Sequence, residues 1–223
     1  MACVYCVKWG NKYSSKYVNR LYNMLTRHAS VPFRMFCYTD NPKGINKNVK
    51  IIPITDDSKE GWWYKLDLLQ NMGDNILFDL DVIILKDPFQ IMTYESDKPV
   101  VISSRWKKPW SFYKSNINGQ NSTLYNSSII RWKNDQGWKI FDFFEDRGQE
   151  MMLKYSGIDR MLWNEEELEV DTFPEGLVYS YWLGNQFPDD VKPEQYREGF
   201  EVCIFNHEPK MDSVKGWPLE YWK

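Results

Sequence analysis

Apolar and polar positions in the first 135 residues alternate between the spacing of strands and that of helices. Residues 15–28 have helical spacing, because Tyr17 and Leu21 fall on one face. Short apolar stretches bounded by Gly, Pro or Asn indicate strands. The predicted strands are residues 2–7, 32–38, 49–54, 75–80, 100–103 and 127–132, and the predicted helices are residues 15–28 and 61–70. This alternation predicts an α/β fold with a mainly parallel, doubly wound sheet flanked by helices.

After about residue 136 the pattern changes toward helix and loop. Residues 137–146 and 158–167 have the spacing of helices, and two short apolar stretches at 177–182 and 201–205 are typical of late strands. No repeat, low-complexity segment or Pro/Gly/Ser-rich linker divides the chain. We therefore expect one domain over residues 1–223, with two halves that meet near residue 135.

Composition adds one unusual feature, an aromatic content of 17%. Aromatic rings fill cores, and exposed ones also stack on sugars and nucleobases. The formal net charge is −3, with Lys and Arg scattered, which argues against a nucleic-acid partner. Apolar runs such as residues 82–85 are too short to span a membrane, and no secretory signal is visible. A soluble, cytoplasmic protein is the expectation.

The most informative stretch is residues 75–85, NILFDLDVIIL. In an extended chain Asp79 and Asp81 project to the same side. Two carboxylates at the end of an apolar strand repel each other and lose hydration unless they have a partner. A bound Mg²⁺ or Mn²⁺ would relieve both effects, and such ions leave positions for substrate phosphates. The plainer alternative is a solvated loop after a buried strand.

Two other functions also fit parts of this pattern. Haloacid-dehalogenase-like phosphatases use an apolar-Asp-x-Asp segment, in which Asp79 would be the nucleophile. Their pair normally lies on the first strand before a Gly-Thr turn, whereas here it runs into Val82 and Ile83. The later acidic pair Asp189-Asp190 follows Phe187-Pro188, which is a poor strand end. A non-catalytic sugar-binding module would account for the Trp content.

Five segments besides the aspartate pair occur in an order that resembles one enzyme group. They are residues 4–13 (VYCVKWGNKY), 62–69 (WWYKLDLL), 124–130 (LYNSSII), 157–162 (GIDRML) and 203–210 (CIFNHEPK). With them, the chain resembles the glycogenin-like and galactosyltransferase-like retaining glycosyltransferases of the GT-A fold. Compact transferases of this size occur in bacteria and phages, which suggests a microbial or phage origin by analogy.

The resemblance implies a function for the whole chain. The enzyme would move a hexose from a UDP-sugar, UDP-glucose or UDP-galactose, to the hydroxyl of a saccharide or protein acceptor. Mn²⁺ (or Mg²⁺) would be required, and the configuration of the sugar would be retained. Residues 1–135 would bind the nucleotide sugar, and residues 136–223 would face the acceptor.

In the nucleotide-sugar half, the resemblance implies uracil contacts from Lys8, Trp9 and Tyr13. Lys65 would approach the donor phosphates or brace the aspartates, where a cation offsets crowded negative charge. The triplet Asp79-Leu80-Asp81 would contact the donor as well as the metal. Helix-entry packing for Tyr13 and an exposed helix charge for Lys65 are the structural alternatives.

Asn126 and Asp159 are the catalytic candidates that the resemblance implies. Asn126 would hydrogen-bond the donor or acceptor sugar, and Asp159 would stabilise positive charge that develops on the transferred sugar. Ser128 stands where the family has Gly, and Arg160 where it has Gln. A turn or cap role is the alternative for both candidates.

The resemblance makes His207 the third metal ligand beside Asp79 and Asp81. A Lys before Pro-Trp binds the diphosphate in the family, and Lys215 in Lys-Gly-Trp matches it better than Lys210, which stays open. A hydrogen-bonded loop histidine is the alternative for His207.

Retention needs no dedicated base, because the acceptor is thought to attack from the leaving-group side. An inverting enzyme would need one, and Glu165, Glu166 or Asp171 could supply it.

Overall fold

The computed structural model describes residues 1–106, 123–185 and 191–223. Its strands are β1 Ala2–Lys8, β2 Phe33–Thr39, β3 Lys50–Pro53, β4 Asp74–Phe78, β5 Val82–Ile84, β6 Val100–Ser103, β7 Tyr125–Lys133, β8 Asp171–Thr172, β9 Val178–Ser180 and β10 Val202–Ile204. Its α-helices are α1 Ser15–His28, α2 Phe89–Thr93, α3 Trp138–Lys154, α4 Ile158–Asn164 and α5 Trp217–Tyr221. Short 3-10 segments cover Gly61–Gln70, Asn134–Gly137 and Met211–Ser213. No helix in these ranges is long and apolar enough to cross a membrane.

The main sheet has seven strands in the order β3-β2-β1-β4-β7-β6-β8. Strands β3, β2, β1 and β4 run parallel to one another. Strand β7 runs antiparallel to both β4 and β6, and β8 is parallel to β6. The prediction of a mainly parallel α/β sheet flanked by helices is therefore confirmed, and one interior strand, β7, is reversed.

Successive side chains of the central strands enter two different cores, because side chains alternate across a strand. Val4 and Ile76 belong to the core that contains α1 and the second sheet. Their neighbours Tyr5 and Leu77 belong to the opposite core, with the 3-10 segment Gly61–Gln70, α3 and α4. Burial of both faces explains why these strands are almost continuously apolar.

A second sheet of three strands, in the order β5-β10-β9, was not anticipated. Strand β10 pairs antiparallel with β5 and parallel with β9. Residues 82–85, which looked like the end of an apolar run, thus begin a separate sheet. This sheet joins the two halves of the sequence, since β5 precedes residue 135 and β9 and β10 follow it.

Helix α1 has the predicted bounds, and its apolar face is buried against the sheet. The segment Gly61–Gln70 is helical as expected but forms a 3-10 rather than an α-helix. Six of its ten residues are buried, so its packing and not a single amphipathic face sets its conformation. Helix α3 extends to Lys154, beyond the predicted end at residue 146.

The topology brings several chain segments to one edge of the sheet. Strands β1 and β4 are parallel, so their carboxyl ends share that edge. Strand β7 is antiparallel to β4, so its amino end, around Asn126, reaches the same edge. The segments after Lys8 and after Phe78 therefore converge with the beginning of β7.

Candidate active site

Asp79 follows β4 directly and is held by β7 and by Lys65. Its backbone N–H donates to the carbonyl of Ser128 at 2.8 Å. Oδ1 of its carboxylate lies 2.6 Å from Nζ of Lys65, which also donates to the carbonyl of Ser127 at 3.2 Å. Burial raises the pKa of Asp79; the ammonium of Lys65 acts in the opposite direction and the charge of Asp81 in the same direction. Of the two sequence-based interpretations of Lys65, bracing an aspartate is the one that this geometry matches.

Asp81 is contacted by two segments that are distant in sequence, one at Tyr13 and one at residues 205–210. Its Oδ2 accepts hydrogen bonds from the hydroxyl of Tyr13 at 2.9 Å and from Nζ of Lys210 at 2.8 Å. The same ammonium donates to the carbonyl of Phe205 at 2.5 Å. The backbone N–H of Phe205 in turn donates to the carbonyl of Asp81 at 2.8 Å. This arrangement follows from the register of β10 on β5, in which Ile204 lies opposite Val82.

The local geometry of the triplet differs from the extended strand on which its interpretation rested. Strand β4 ends at Phe78, so both aspartates lie in the connection to β5. The charge of Asp81 still raises the pKa of Asp79. Leu80 has a side chain buried in the α1 core, which leaves only its backbone to meet a ligand.

The predicted nucleotide segment lies at the end of β1, beside Asp81. Lys8 is buried, and Trp9 is 38% exposed with its ring centroid 6.1 Å from that of Tyr64. Tyr13 contacts the ring of Tyr17 at 4.8 Å between centroids. Burial and the nearby carboxylate of Asp81 raise the pKa of Tyr13. Tyr13 therefore combines helix-entry packing with a polar contact in the site.

Asn126 and Asp159 are brought together although they come from different elements. Oδ1 of Asp159 accepts the backbone N–H of Ser127 at 2.8 Å, and Oδ2 lies 3.4 Å from Nδ2 of Asn126. The hydroxyl of Thr123 donates to the carbonyl of Asp159 at 2.9 Å. Asp159 lies in the first turn of α4, where acidic side chains are favoured. Through Ser127 and Lys65 the pair is linked to Asp79.

His207 and Lys215 lie outside the hydrogen-bonded group that contains Asp79 and Asp81. His207 is exposed, two residues beyond Phe205, and Lys215 is exposed ahead of α5. The lysine that the structure places beside the aspartates is Lys210, whose side chain is 9% exposed. The roles of His207 as a metal ligand and of Lys215 as the diphosphate ligand stay predictions.

The residues present fit a divalent cation in part. Two carboxylates and an imidazole suit Mn²⁺ or Mg²⁺ chemically. Within residues 1–106, 123–185 and 191–223, however, no three His, Cys, Asp or Glu side chains are arranged to hold a metal ion. Oδ2 of Asp81 also already accepts two hydrogen bonds. Asp79, Asp81 and His207 can therefore hold a divalent cation only if Lys210 moves away from Asp81.

The alternative bases of an inverting mechanism have other partners or positions. Glu165 is buried and accepts hydrogen bonds from Nζ of Lys154 and the hydroxyl of Tyr155, both at 2.7 Å. Burial favours its neutral form, but these two donors keep the pKa of Glu165 below its ordinary value. Asp171 lies in β8 and accepts a hydrogen bond from the hydroxyl of Ser96. Glu166 is exposed.

Sequence reasoning missed several contacts that build the site. The carbonyls of Ser127 and Phe205 anchor the two lysines, and the hydroxyl of Thr123 fixes the backbone at Asp159. Every residue has a backbone carbonyl, so the residue types do not indicate which carbonyl accepts a hydrogen bond from a lysine. Lys210 itself was among the candidates, as the lysine of the segment 203–210 that stayed open beside Lys215. The acidic pair at positions 189 and 190 lies outside the described residues.

Solved structures with a similar architecture include several glycosyltransferases. The galactosyltransferase LgtC, in complex with donor and acceptor sugar analogues, matches with a TM-score of 0.62 and 10% identity over 95% of this chain and 89% of that one. The glycosyltransferase GlyE of Streptococcus pneumoniae TIGR4 matches with a TM-score of 0.67 and 11% identity over 100% of this chain and 60% of that one. The fold is that of the GT-A glycosyltransferases. The bifunctional glycosyltransferase WbbM matches with a TM-score of 0.60 and 12% identity over 93% of this chain and 46% of that one.

At this level of identity the comparison establishes the GT-A fold and leaves the chemistry to the site. No family model and no curated protein sequence matches the chain. The aspartate pair follows β4, whereas the phosphatase interpretation needs it on a first strand.

Proposed function

We propose that the protein is a glycosyltransferase that moves a hexose from UDP-glucose or UDP-galactose to the hydroxyl of a saccharide or protein acceptor. The observation that carries this proposal is the convergence at one sheet edge of the Asp79/Asp81 pair with Tyr13, Lys65 and Asp159. In a GT-A fold this is the edge formed by the carboxyl ends of the parallel strands, where open α/β sheets bind ligands.

The nucleotide would bind at the end of β1. Trp9 is exposed enough to stack on a base, and Tyr64 supports its ring. Tyr13 and the buried Lys8 would form the rest of the nucleotide site, and the hydroxyl of Tyr13 connects it to Asp81. The diphosphate would then lie over the aspartates and their lysines. Lys215 is a further candidate for the diphosphate.

A divalent cation, Mn²⁺ or Mg²⁺, is part of the proposal. Asp79, Asp81 and His207 are the residues that would hold it. When bound, the ion neutralises charge that grows on the diphosphate as the bond between sugar C1 and oxygen breaks. Lys65, paired with Asp79, adds a fixed positive charge on the same side of the site.

Asn126 and Asp159 would act on the sugar. Asp159 has its carboxylate oriented by Ser127 and Asn126 before any substrate arrives, which is the preorganisation that electrostatic stabilisation requires. In that position it would stabilise an anomeric carbon that becomes cationic. Retention follows from acceptor attack on the leaving-group side, and the engagement of Glu165 with Lys154 supports this over a base at that position.

Calorimetric titration with UDP, UDP-glucose and UDP-galactose, with Mn²⁺ and with chelator, tests the proposal. We expect binding of at least one of these with Mn²⁺, weakened in Asp81→Ala and in His207→Ala. Release of UDP in the presence of acceptors then tests transfer. No binding of any nucleotide sugar in the presence of metal contradicts the proposal, and chelator-insensitive binding of glycans alone indicates a sugar-binding module.

A further inference from the structure

The two aspartates of the site are each paired with one lysine. Asp79 faces Nζ of Lys65 at 2.6 Å, and Asp81 faces Nζ of Lys210 at 2.8 Å. The four formal charges cancel. A divalent cation added to this arrangement would meet two aspartates that are each already paired with an ammonium group. Unit charges this close interact strongly at a partly buried site, so the paired state opposes metal binding.

The ammonium of Lys210 occupies a position built of oxygen atoms. It contacts Oδ2 of Asp81 at 2.8 Å and the carbonyl oxygen of Phe205 at 2.5 Å, and Oε1 of Glu208 lies 3.8 Å away. Carboxylate and carbonyl oxygens are also the ligands that Mg²⁺, Mn²⁺ and Ca²⁺ take. The lysine thus occupies a position whose oxygen atoms come from the backbone just after β10 and from the aspartate triplet.

The acceptor capacity of Asp81 leads to the same conclusion. A carboxylate oxygen offers about two lone-pair directions. At Oδ2 one accepts the hydroxyl of Tyr13 and the other accepts Lys210. A metal ion that used this oxygen would have to displace one of the two donors, and the cationic donor is the one that the ion repels.

We propose that Lys210 and a divalent cation are alternative occupants of Asp81, so that metal binding expels the Lys210 ammonium from the site. The inference rests on the proposed function for the role of the metal, and it concerns this chain's own lysine. In metal-free protein Lys210 keeps Asp81 neutralised. Lys210 therefore lowers the affinity of the site for free Mn²⁺.

Calorimetric titration with Mn²⁺ alone, without nucleotide, tests the competition. Lys210→Gln removes the positive charge and keeps a donor for the carbonyl of Phe205. We expect Lys210→Gln to bind Mn²⁺ at least about tenfold more tightly than the native chain. Lys210→Arg keeps the charge and should bind as weakly as the native chain. Lys154→Gln, a lysine paired with Glu165 outside the site, is the matched control and should leave Mn²⁺ affinity unchanged.

A second measurement uses the native chain and does not depend on how a variant folds. Amine-reactive labelling followed by mass spectrometry should find Lys210 protected in chelator and reactive at saturating Mn²⁺. Lys154 should label equally in both. Unchanged labelling of Lys210 with Mn²⁺ bound, or equal or weaker Mn²⁺ binding by folded Lys210→Gln, overturns the proposal.

The two proposals fail in different ways. The competition between Lys210 and Mn²⁺ is tested by Mn²⁺ titration and by labelling of Lys210, without nucleotide. The transferase proposal is tested by UDP binding at saturating Mn²⁺. Absence of UDP binding together with tighter Mn²⁺ binding by Lys210→Gln overturns the transferase and supports the competition. UDP binding together with unchanged Lys210 labelling supports the transferase and overturns the competition.

Discussion

The side-chain amide of Asn126 meets the carboxylate of Asp159 at 3.4 Å, across 33 residues of sequence. The backbone N–H of Ser127 holds the other carboxylate oxygen at 2.8 Å. The carboxylate is therefore oriented by groups on β7 while its own residue belongs to α4. A fixed negative charge of this kind is suited to a cationic transition state.

Replacing Asp159 by Asn removes this charge with little change in shape. We expect the rate of sugar transfer to fall by about 10²- to 10³-fold, while the dissociation constant for UDP changes by less than about threefold. Steady-state kinetics and UDP titration measure the two effects. Asp142→Asn, an exposed aspartate on α3, is the control and should leave both unchanged. A transfer rate equal to that of the native chain removes Asp159 from the mechanism.

Lys65→Met leaves Asp79 without its cation. Because the carboxylate is only 22% exposed, we expect the free energy of unfolding to fall by about 2 kcal/mol. Chemical denaturation of Lys65→Met, Asp79→Asn and the double variant gives the coupling energy between the two side chains. A coupling below about 0.5 kcal/mol would mean that the pair adds nothing beyond an exposed ion pair.

Tyr13→Phe keeps the ring beside Tyr17 and removes the hydrogen bond to Asp81. The pKa of Tyr13 is raised in the fold by burial and by that carboxylate, whereas an unfolded tyrosine titrates near pH 10. Its contribution to stability is thus present below about pH 10 and is lost as the pH rises further.

Urea unfolding between pH 9 and 11.5 measures this effect. Stability should fall with pH in both proteins, because burial also raises the pKa of Tyr5 to about 12. The fall should be shallower in Tyr13→Phe than in the native chain. Identical slopes contradict the assignment of the raised pKa to Tyr13.

Glu165→Gln separates a structural role from a catalytic one. Lys154 and Tyr155 hold the pKa of Glu165 below its ordinary value despite burial. The ionised side chain therefore adds stability above about pH 4.3, and this is lost as the pH falls through the folded pKa. We expect the variant to be less stable at pH 7 by about 1 kcal/mol, with the difference narrowing in acid.

The transfer rate of Glu165→Gln at pH 7 should stay within about threefold of the native rate, since retention uses no base there. A loss of several hundredfold, with UDP affinity intact, would instead assign Glu165 as the base of an inverting enzyme. The anomeric configuration of the product, determined by NMR, decides the same question independently.

Much of the fold follows from local patterns. The bounds of α1 come from the helical spacing of its buried apolar residues, and the positions of β1, β2 and β4 come from short apolar runs bounded by turn residues. The conformation of Gly61–Gln70 does not, because a segment buried along most of its length has no polar face to mark its period. The reversed direction of β7 is equally invisible, since an apolar strand has the same pattern in either direction.

For the site, the sequence by itself determined which residues carry charge and in what order they occur: Lys65, then Asp79 and Asp81, then Asp159. Only the tertiary structure decided which of these charges meet. Lys210 reaches Asp81 across 129 residues because β10 pairs with β5 in the register that places Phe205 beside Asp81. Register depends on side-chain packing between strands far apart in the chain, so the sequence, which ranked Lys215 above Lys210, could not show that Lys210 is the lysine beside Asp81.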